Sequence, residues 1–103
     1  MTDLYRAITD PIRRKILLMT SQKECTQSEI VKAFSISQPA IKKHLKILLD
    51  EELILERKSG RFCYYRLNQE VYNTSYRELQ HELGLILENK LLKLKNYLEE
   101  EKT

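Results

Sequence analysis

The sequence predicts a mainly α-helical fold with one small β-hairpin, on three observations. Apolar residues recur at helical spacing up to about residue 50, the period switches to two between residues 53 and 67, and helical spacing returns from residue 70 almost to the end. Only two glycines and two prolines occur in 103 residues, which argues against sandwiches, barrels and glycine-lined nucleotide clefts. At this length, with 42% apolar and 32% charged residues, one domain with its own core is expected. Apolar runs such as Ile16 to Met19 are too short for membrane insertion or a signal-peptide core, so a cytoplasmic location is the expectation.

The first helix is expected over Asp3 to Ile8, with Leu4, Tyr5 and Ile8 on one side. Asp10 then reads as an N-cap, and Pro11 occupies the first helical position, where its missing N–H costs nothing. This second helix sets Ile12, Ile16 and Met19 on one stripe and ends near Ser21, with residues 22–25 as a polar loop. Thr26-Gln27-Ser28-Glu29 is a capping box that opens a short third helix with Ile30, Val31 and Phe34 facing inward. Ser35-Ile36-Ser37 breaks that helix, and Ser37 caps the fourth, whose buried stripe is Ile41, Leu45 and Leu48. Two short helices joined by a three-residue turn make a helix-turn-helix. Leu53 to Arg57 then reads as a strand, Lys58-Ser59-Gly60 as a turn and Arg61 to Leu67 as a second strand. A basic hairpin in that position is a wing, so the predicted architecture is a winged helix-turn-helix over residues 1–69. Residues 70–103 follow as a long dimerisation helix of the same domain. Its stripe of Tyr72, Tyr76, Leu79, Leu83, Leu87, Leu91, Leu94 and Leu98 is longer than so small a body can cover, and calls for a second chain.

Charge distribution points to the partner. Residues 1–69 hold 13 Lys and Arg against 8 Asp and Glu, whereas residues 70–103 hold 5 against 7. A basic body suits a polyanion. A lysine run is ordinarily a solvated helix face. Here Lys42, Lys43 and Lys46 follow a helix-turn-helix and accompany Arg57, Lys58, Arg61 and Tyr64 of the wing, so contact with the phosphates of double-stranded DNA is the preferred reading. Gln38 and Ala40 stand at the helix end that enters the major groove, where Gln can pair with adenine and Ala can meet a thymine methyl; a phosphate contact by Ser37 or Gln38 is equally open. His44 has no second ligand at metal spacing and reads as a DNA-facing or backbone-bonded residue. For Arg13-Arg14-Lys15, a solvated face, ion pairing and DNA-backbone contact all stand.

Asp10-Pro11-Ile12-Arg13-Arg14-Lys15-Ile16-Leu17, Ser37-Gln38-Pro39-Ala40-Ile41-Lys42-Lys43-His44-Leu45 and Gly60-Arg61-Phe62-Cys63-Tyr64-Tyr65-Arg66-Leu67 resemble, in that order, the ArsR/SmtB family of bacterial winged-helix repressors. The resemblance covers residues 3–69 and implies a transcriptional repressor that binds operator DNA as a homodimer. Its fourth helix, including Ser37 and Pro39, would read DNA. Its first and last helices would form the interface, here through Leu4 and Tyr5 with Tyr76, Leu79, Leu83, Leu87, Leu91 and Leu94. The family's arsenic-binding cysteines align with Thr26 and Ser28, and the last helix offers only His81 where the zinc-sensing site needs paired His and carboxylate ligands. The chain is therefore similar to the metal-independent branch, with no metal or cofactor expected. An effector or anti-repressor partner is left open. Cys25 is expected in an exposed loop and Cys63 as a small buried hydrophobe, neither at zinc or redox spacing. No nucleophile-base pair, phosphate loop or paired carboxylates suggest an enzyme. A protein-docking winged helix remains the alternative of another class, as does a metal- or redox-responsive regulator with a non-standard site.

Overall fold

The computed structural model describes residues 2–101. Its order is α1 (Leu4–Ile8), α2 (Pro11–Gln22), β1 (Cys25–Thr26), α3 (Gln27–Lys32), α4 (Gln38–Asp50), β2 (Ile54–Ser59), β3 (Phe62–Leu67) and α5 (Gln69–Glu101). Four helix starts are closed by side chains. Asp3 accepts from the Arg6 amide, Asp10 from those of Ile12 and Arg13, Thr26 from that of Glu29 and Ser37 from that of Ala40. Each such cap contributes about 1 kcal/mol. At Thr26 the capping box is complete, because Glu29 Oε1 accepts from the Thr26 amide in return.

Ile16, Ile30, Ile41, Leu48, Leu53 and Ile54 form a fully buried centre, where α2, α3 and α4 meet the near end of the hairpin. Tyr65 and Leu67 close it from β3. Burial pushes the Tyr65 hydroxyl up to about 12. The C-terminus of α4 ends in a Schellman motif: the Leu53 amide donates to Leu48 O and the Glu52 amide to Leu49 O. Glu52 takes the left-handed conformation there, φ 61°, where glycine is usual. Buried Glu51 accepts from the Asp3 amide and from Arg6 Nη1, at 2.5 and 3.1 Å, and so ties α1 to the end of α4.

Several expectations need correction. The polar loop at 22–25 is shorter than expected, because Cys25 and Thr26 form a strand against β3, giving an antiparallel sheet of order β1-β3-β2 with Cys25 opposite Tyr65. Cys25 is consequently buried, its thiol directed at the carbonyls of Met19 and Lys23. Cys63 is only half-buried, since the hairpin leaves the body beyond Ile54 and carries it outward. The turn is Gly60-Arg61 rather than Lys58-Ser59-Gly60, because Ser59 pairs with Phe62. Gly60, at φ 59°, supplies the left-handed residue that a two-residue hairpin needs. In α1 the buried residues are Leu4 and Ala7, while Tyr5 is exposed.

Arg13, Arg14 and Lys15 are neither simply solvated nor free. Arg13 donates through Nε to Ala7 O and through Nη2 to Arg6 O, and Arg14 donates to Ile8 O, so both cover the open carbonyls at the end of α1. Lys15 does the same for Ala33 O after α3 and lies 4.9 Å from the Phe34 ring centroid.

Helix α5 packs on the body only through its first turns, where Ser75 and Leu79 are buried and Val71 and Tyr72 lean on the core. Residues 80–100 are all exposed. The helix projects far enough to give overall extents of 73 × 28 × 22 Å. Among the described residues, no helix is long and apolar enough to cross a membrane.

Candidate nucleic-acid interface

Helix α4 divides cleanly by period. Ile41, Leu45 and Leu48 are buried, while Gln38, Pro39, Lys42, Lys43 and Lys46 are exposed, with Ala40 half-buried at the edge. Pro39 fits because it sits in the first turn, where its nitrogen owes no hydrogen bond. Among the described residues, Lys42, Lys43 and Lys46 have no carboxylate partner. Three unneutralised ammonium groups on one exposed helix face favour a polyanion and add nothing to the fold.

The wing is less uniform than its sequence suggested. Arg57 is held by Glu24, with Nη2 2.5 Å from Oε1, and its guanidinium carbon lies 4.4 Å from the centroid of the Tyr64 ring. The hydrogen bond from Arg57 holds the Glu24 carboxyl below the usual carboxylate range, and Glu24 raises Arg57 in return. Arg57 and Tyr64 therefore brace the hairpin against the residue just before β1. Lys58 lies 3.8 Å from Glu56, too far for a strong pair. Arg61, at the hairpin tip, has no partner among the described residues and is exposed.

A groove of about 450 Å³ runs between α3, the start of α4 and the wing tip, lined by Gln27, Ser28, Lys32, Gln38, Arg61 and Phe62 among others. It brings Gln38 and Arg61, far apart in sequence, onto one surface. Phe62 belongs there too, 55% exposed and 6.3 Å from the Tyr64 ring. Sequence reasoning passed over it. The signal was present, because the alternation that buries Tyr65 and Leu67 turns Phe62, Tyr64 and Arg66 to the other face.

His44 is half-buried and meets a side chain rather than a backbone group. Its Nδ1 lies 3.1 Å from Arg13 Nη1. Arginine can only donate, so in this contact Nδ1 is the accepting nitrogen. His44 thus joins α4 to α2, and through Arg13 to the end of α1. Of the residues expected at a dimer interface, Leu4 and Leu79 are already covered by the chain's own core, at 5% and 8% exposure. Tyr5, Tyr76, Leu83, Leu87, Leu91 and Leu94 are exposed.

Thr26 and Ser28 both line the groove, but the Thr26 hydroxyl is engaged by Glu29, accepting from its amide and donating to Oε1. The Glu29 carboxyl is lowered to about 2 by the hydrogen bond from Lys23 and those from the Thr26 amide and hydroxyl.

Residues 10–55 match the pattern described as bacterial regulatory protein, arsR family. The transcriptional repressor SdpR of Bacillus subtilis (strain 168) is 41% identical over 75 residues, covering 73% of this chain and 83% of that protein. The arsenic resistance transcriptional regulator ArsR2 of Pseudomonas putida is 35% identical over 98 residues, covering 91% of this chain and 85% of that one. Among solved structures, an ArsR-like transcriptional regulator from Rhodococcus sp. RHA1 superposes with a TM-score of 0.74 at 27% identity, covering 93% of this chain and 87% of that one.

Proposed function

This chain belongs to the arsR family of bacterial regulatory proteins and is a helix-turn-helix DNA-binding repressor; on that premise we propose that it holds its operator as a homodimer, through α4 and the wing tip. The observation that carries this reading is the exposed face of α4, where Lys42, Lys43 and Lys46 have no carboxylate partner among the described residues and Gln38 shares a groove with Arg61.

In this reading the N-terminal end of α4 enters the major groove. Gln38 and Ala40 meet base edges, with Ser37 and Pro39 fixing the approach of the helix. Lys42, Lys43, Lys46, Arg61 and Lys58 contact phosphates. Arg57 and Tyr64 act mainly by setting the angle of the wing. His44 acts from behind the helix, by holding it to α2. Residues 1–69 form the DNA-binding body and residues 70–103 the dimerisation helix of the same domain. Tyr5, Tyr76, Leu83, Leu87, Leu91 and Leu94 face the second copy.

Its relatives are regulators, and no catalytic role is proposed. We also assign no resident metal, since Thr26 and Ser28 offer neutral hydroxyls that bind soft metals poorly. The decisive experiment is footprinting on the DNA upstream of its own coding region, with polyanion competitor present. Protection of a pseudo-palindromic site with half-sites one helical turn apart is expected. Binding that is fully competed away by any polyanion would refute operator recognition and favour a protein-docking winged helix.

A further inference from the structure

The hairpin outruns the core. Ile54 is buried, every later residue of β2 is exposed, and five further rises carry the tip ~17 Å beyond it. At that tip Phe62 is 55% exposed, and its cross-strand partner is Ser59, too small to cover an aromatic ring. Strand β3 gives its buried side chains, Tyr65 and Leu67, from the other face. The ring neighbour of Phe62 among the described residues is Tyr64, 6.3 Å away and tilted by 58°, and Arg57 already lies over that ring. A large apolar side chain held out at the end of a basic lever contributes little to the fold.

Its surroundings say what the ring is held out for. The groove at the wing takes Ser28 and Lys32 from α3, Gln38 from α4, and Arg61 and Phe62 from the hairpin. Lys32 and Arg61 are both exposed and have no carboxylate partner among the described residues. Two cations from different elements on one groove match the charge of a sugar–phosphate strand. Each strand of a duplex separates the major groove from the minor groove. A strand seated between α4 and the wing therefore has the major groove on the Gln38 side and the minor groove on the Phe62 side. Phenylalanine can read no donor or acceptor there, but an apolar side chain can enter between base pairs from the minor groove and partly unstack them.

We propose that Phe62 is a minor-groove wedge: with one strand seated between Lys32 and Arg61, its ring opens a base step beside each half-site and selects operators that are deformable there. Pyrimidine–purine steps unstack readily and A-tracts resist, so the wing reads sequence through stiffness where no side chain hydrogen-bonds a base. This inference rests on the reading that the wing tip meets DNA. It goes further by assigning a specificity-determining role to a residue with no hydrogen-bonding group.

The test uses the full chain and the duplex protected in footprinting, with 2-aminopurine placed in turn at each base step beside the half-sites. Fluorescence should rise on binding at one step per half-site with the native chain and with Phe62→Leu, which keeps an apolar wedge, and should not rise with Phe62→Ala. Phe62→Ala should retain the native thermal midpoint and salt slope, yet bind the operator about tenfold or more weakly, with less than about a threefold change on unrelated DNA. Replacing the responsive step by an A-tract should weaken the native chain and leave Phe62→Ala indifferent. Lys32→Ala should flatten the salt slope by ~1.8 per dimer, as for a phosphate contact. Native operator affinity in Phe62→Ala, or no fluorescence change at any step, would overturn the wedge while operator recognition stands. An unchanged salt slope in Lys32→Ala would remove the seated strand on which the wedge depends. If no duplex is protected, the operator reading fails and the wedge fails with it.

Discussion

Replacing Lys42 and Lys43 by alanine removes charge without removing structure. Both side chains are exposed and have no ion-pair partner among the described residues, so the thermal midpoint should stay within about 2 °C of the parent, as for other surface changes. The effect on DNA should be large. If each lysine meets one phosphate, the double variant loses about four contacts per dimer, each releasing about 0.9 counterion. The slope of log K against log salt then flattens by ~3.6, and affinity at 0.15 M salt falls up to ~1000-fold, or ~4 kcal/mol. The loss should be nearly the same on operator and unrelated DNA, since phosphates carry no sequence information. Fluorescence anisotropy over 0.05–0.3 M salt, roughly the range where such slopes are linear, reads both quantities. A folded double variant with an unchanged slope and less than about a threefold loss would mean that this face of α4 does not meet DNA. Arg61→Ala gives an internal comparison with Arg57→Ala. The first should flatten the slope by ~1.8 per dimer, and the second by less, because Arg57 is already neutralised by Glu24.

The other expectations concern specificity, stability and metals. Gln38→Ala should relax base preference at one position per half-site by about 1–3 kcal/mol while leaving the salt slope unchanged, as read by competition with operator variants. Glu52→Gly should stabilise the fold by about 0.5–1 kcal/mol in urea denaturation, because it relieves a left-handed non-glycine residue at the end of α4; a destabilised variant would contradict the strain argument. The Glu29 carboxyl, lowered to about 2 from 4.5, stabilises the fold above its unfolded pKa, and that contribution is lost as pH falls toward 2. Glu29→Gln should therefore flatten the acid limb of stability between pH 4.5 and 2, measured by denaturant titration at each pH. Zinc and arsenite titrated into the operator complex in chelator-treated buffer should change affinity less than tenfold, about 1.4 kcal/mol of coupling; a larger loss abolished by His81→Ala would locate a metal site on α5.

Local chemistry was legible wherever a short run of residues suffices to settle it. Asp10-Pro11, the Thr26–Glu29 box and Ser37 start helices because their donors and acceptors lie within three residues of each other. The α4 stripe and its lysine face follow from the 3.6-residue period alone. Strand β1 was not legible, because two residues cannot show an alternation; it exists only because β3 passes alongside. For the same reason neither cysteine has its expected environment. Cys25 is buried by a strand partner 40 residues away, and Cys63 is carried outward where the hairpin outruns the core.

The sequence by itself determined the helices, the hairpin, the basic face of α4 and the surplus apolar stripe of α5, since each depends on caps and periods within a single segment. Only the tertiary structure decided what the individual cations do. Arg13 and Arg14 close the carbonyls of α1, Arg13 also holds His44, and Arg57 is neutralised by Glu24, whereas Lys42, Lys43, Lys46 and Arg61 have no carboxylate partner among the described residues. A positive charge looks the same in any sequence window. Whether it is satisfied depends on which carbonyl or carboxylate the fold brings within about 3 Å, and these partners come from other segments, 6 to 33 residues away.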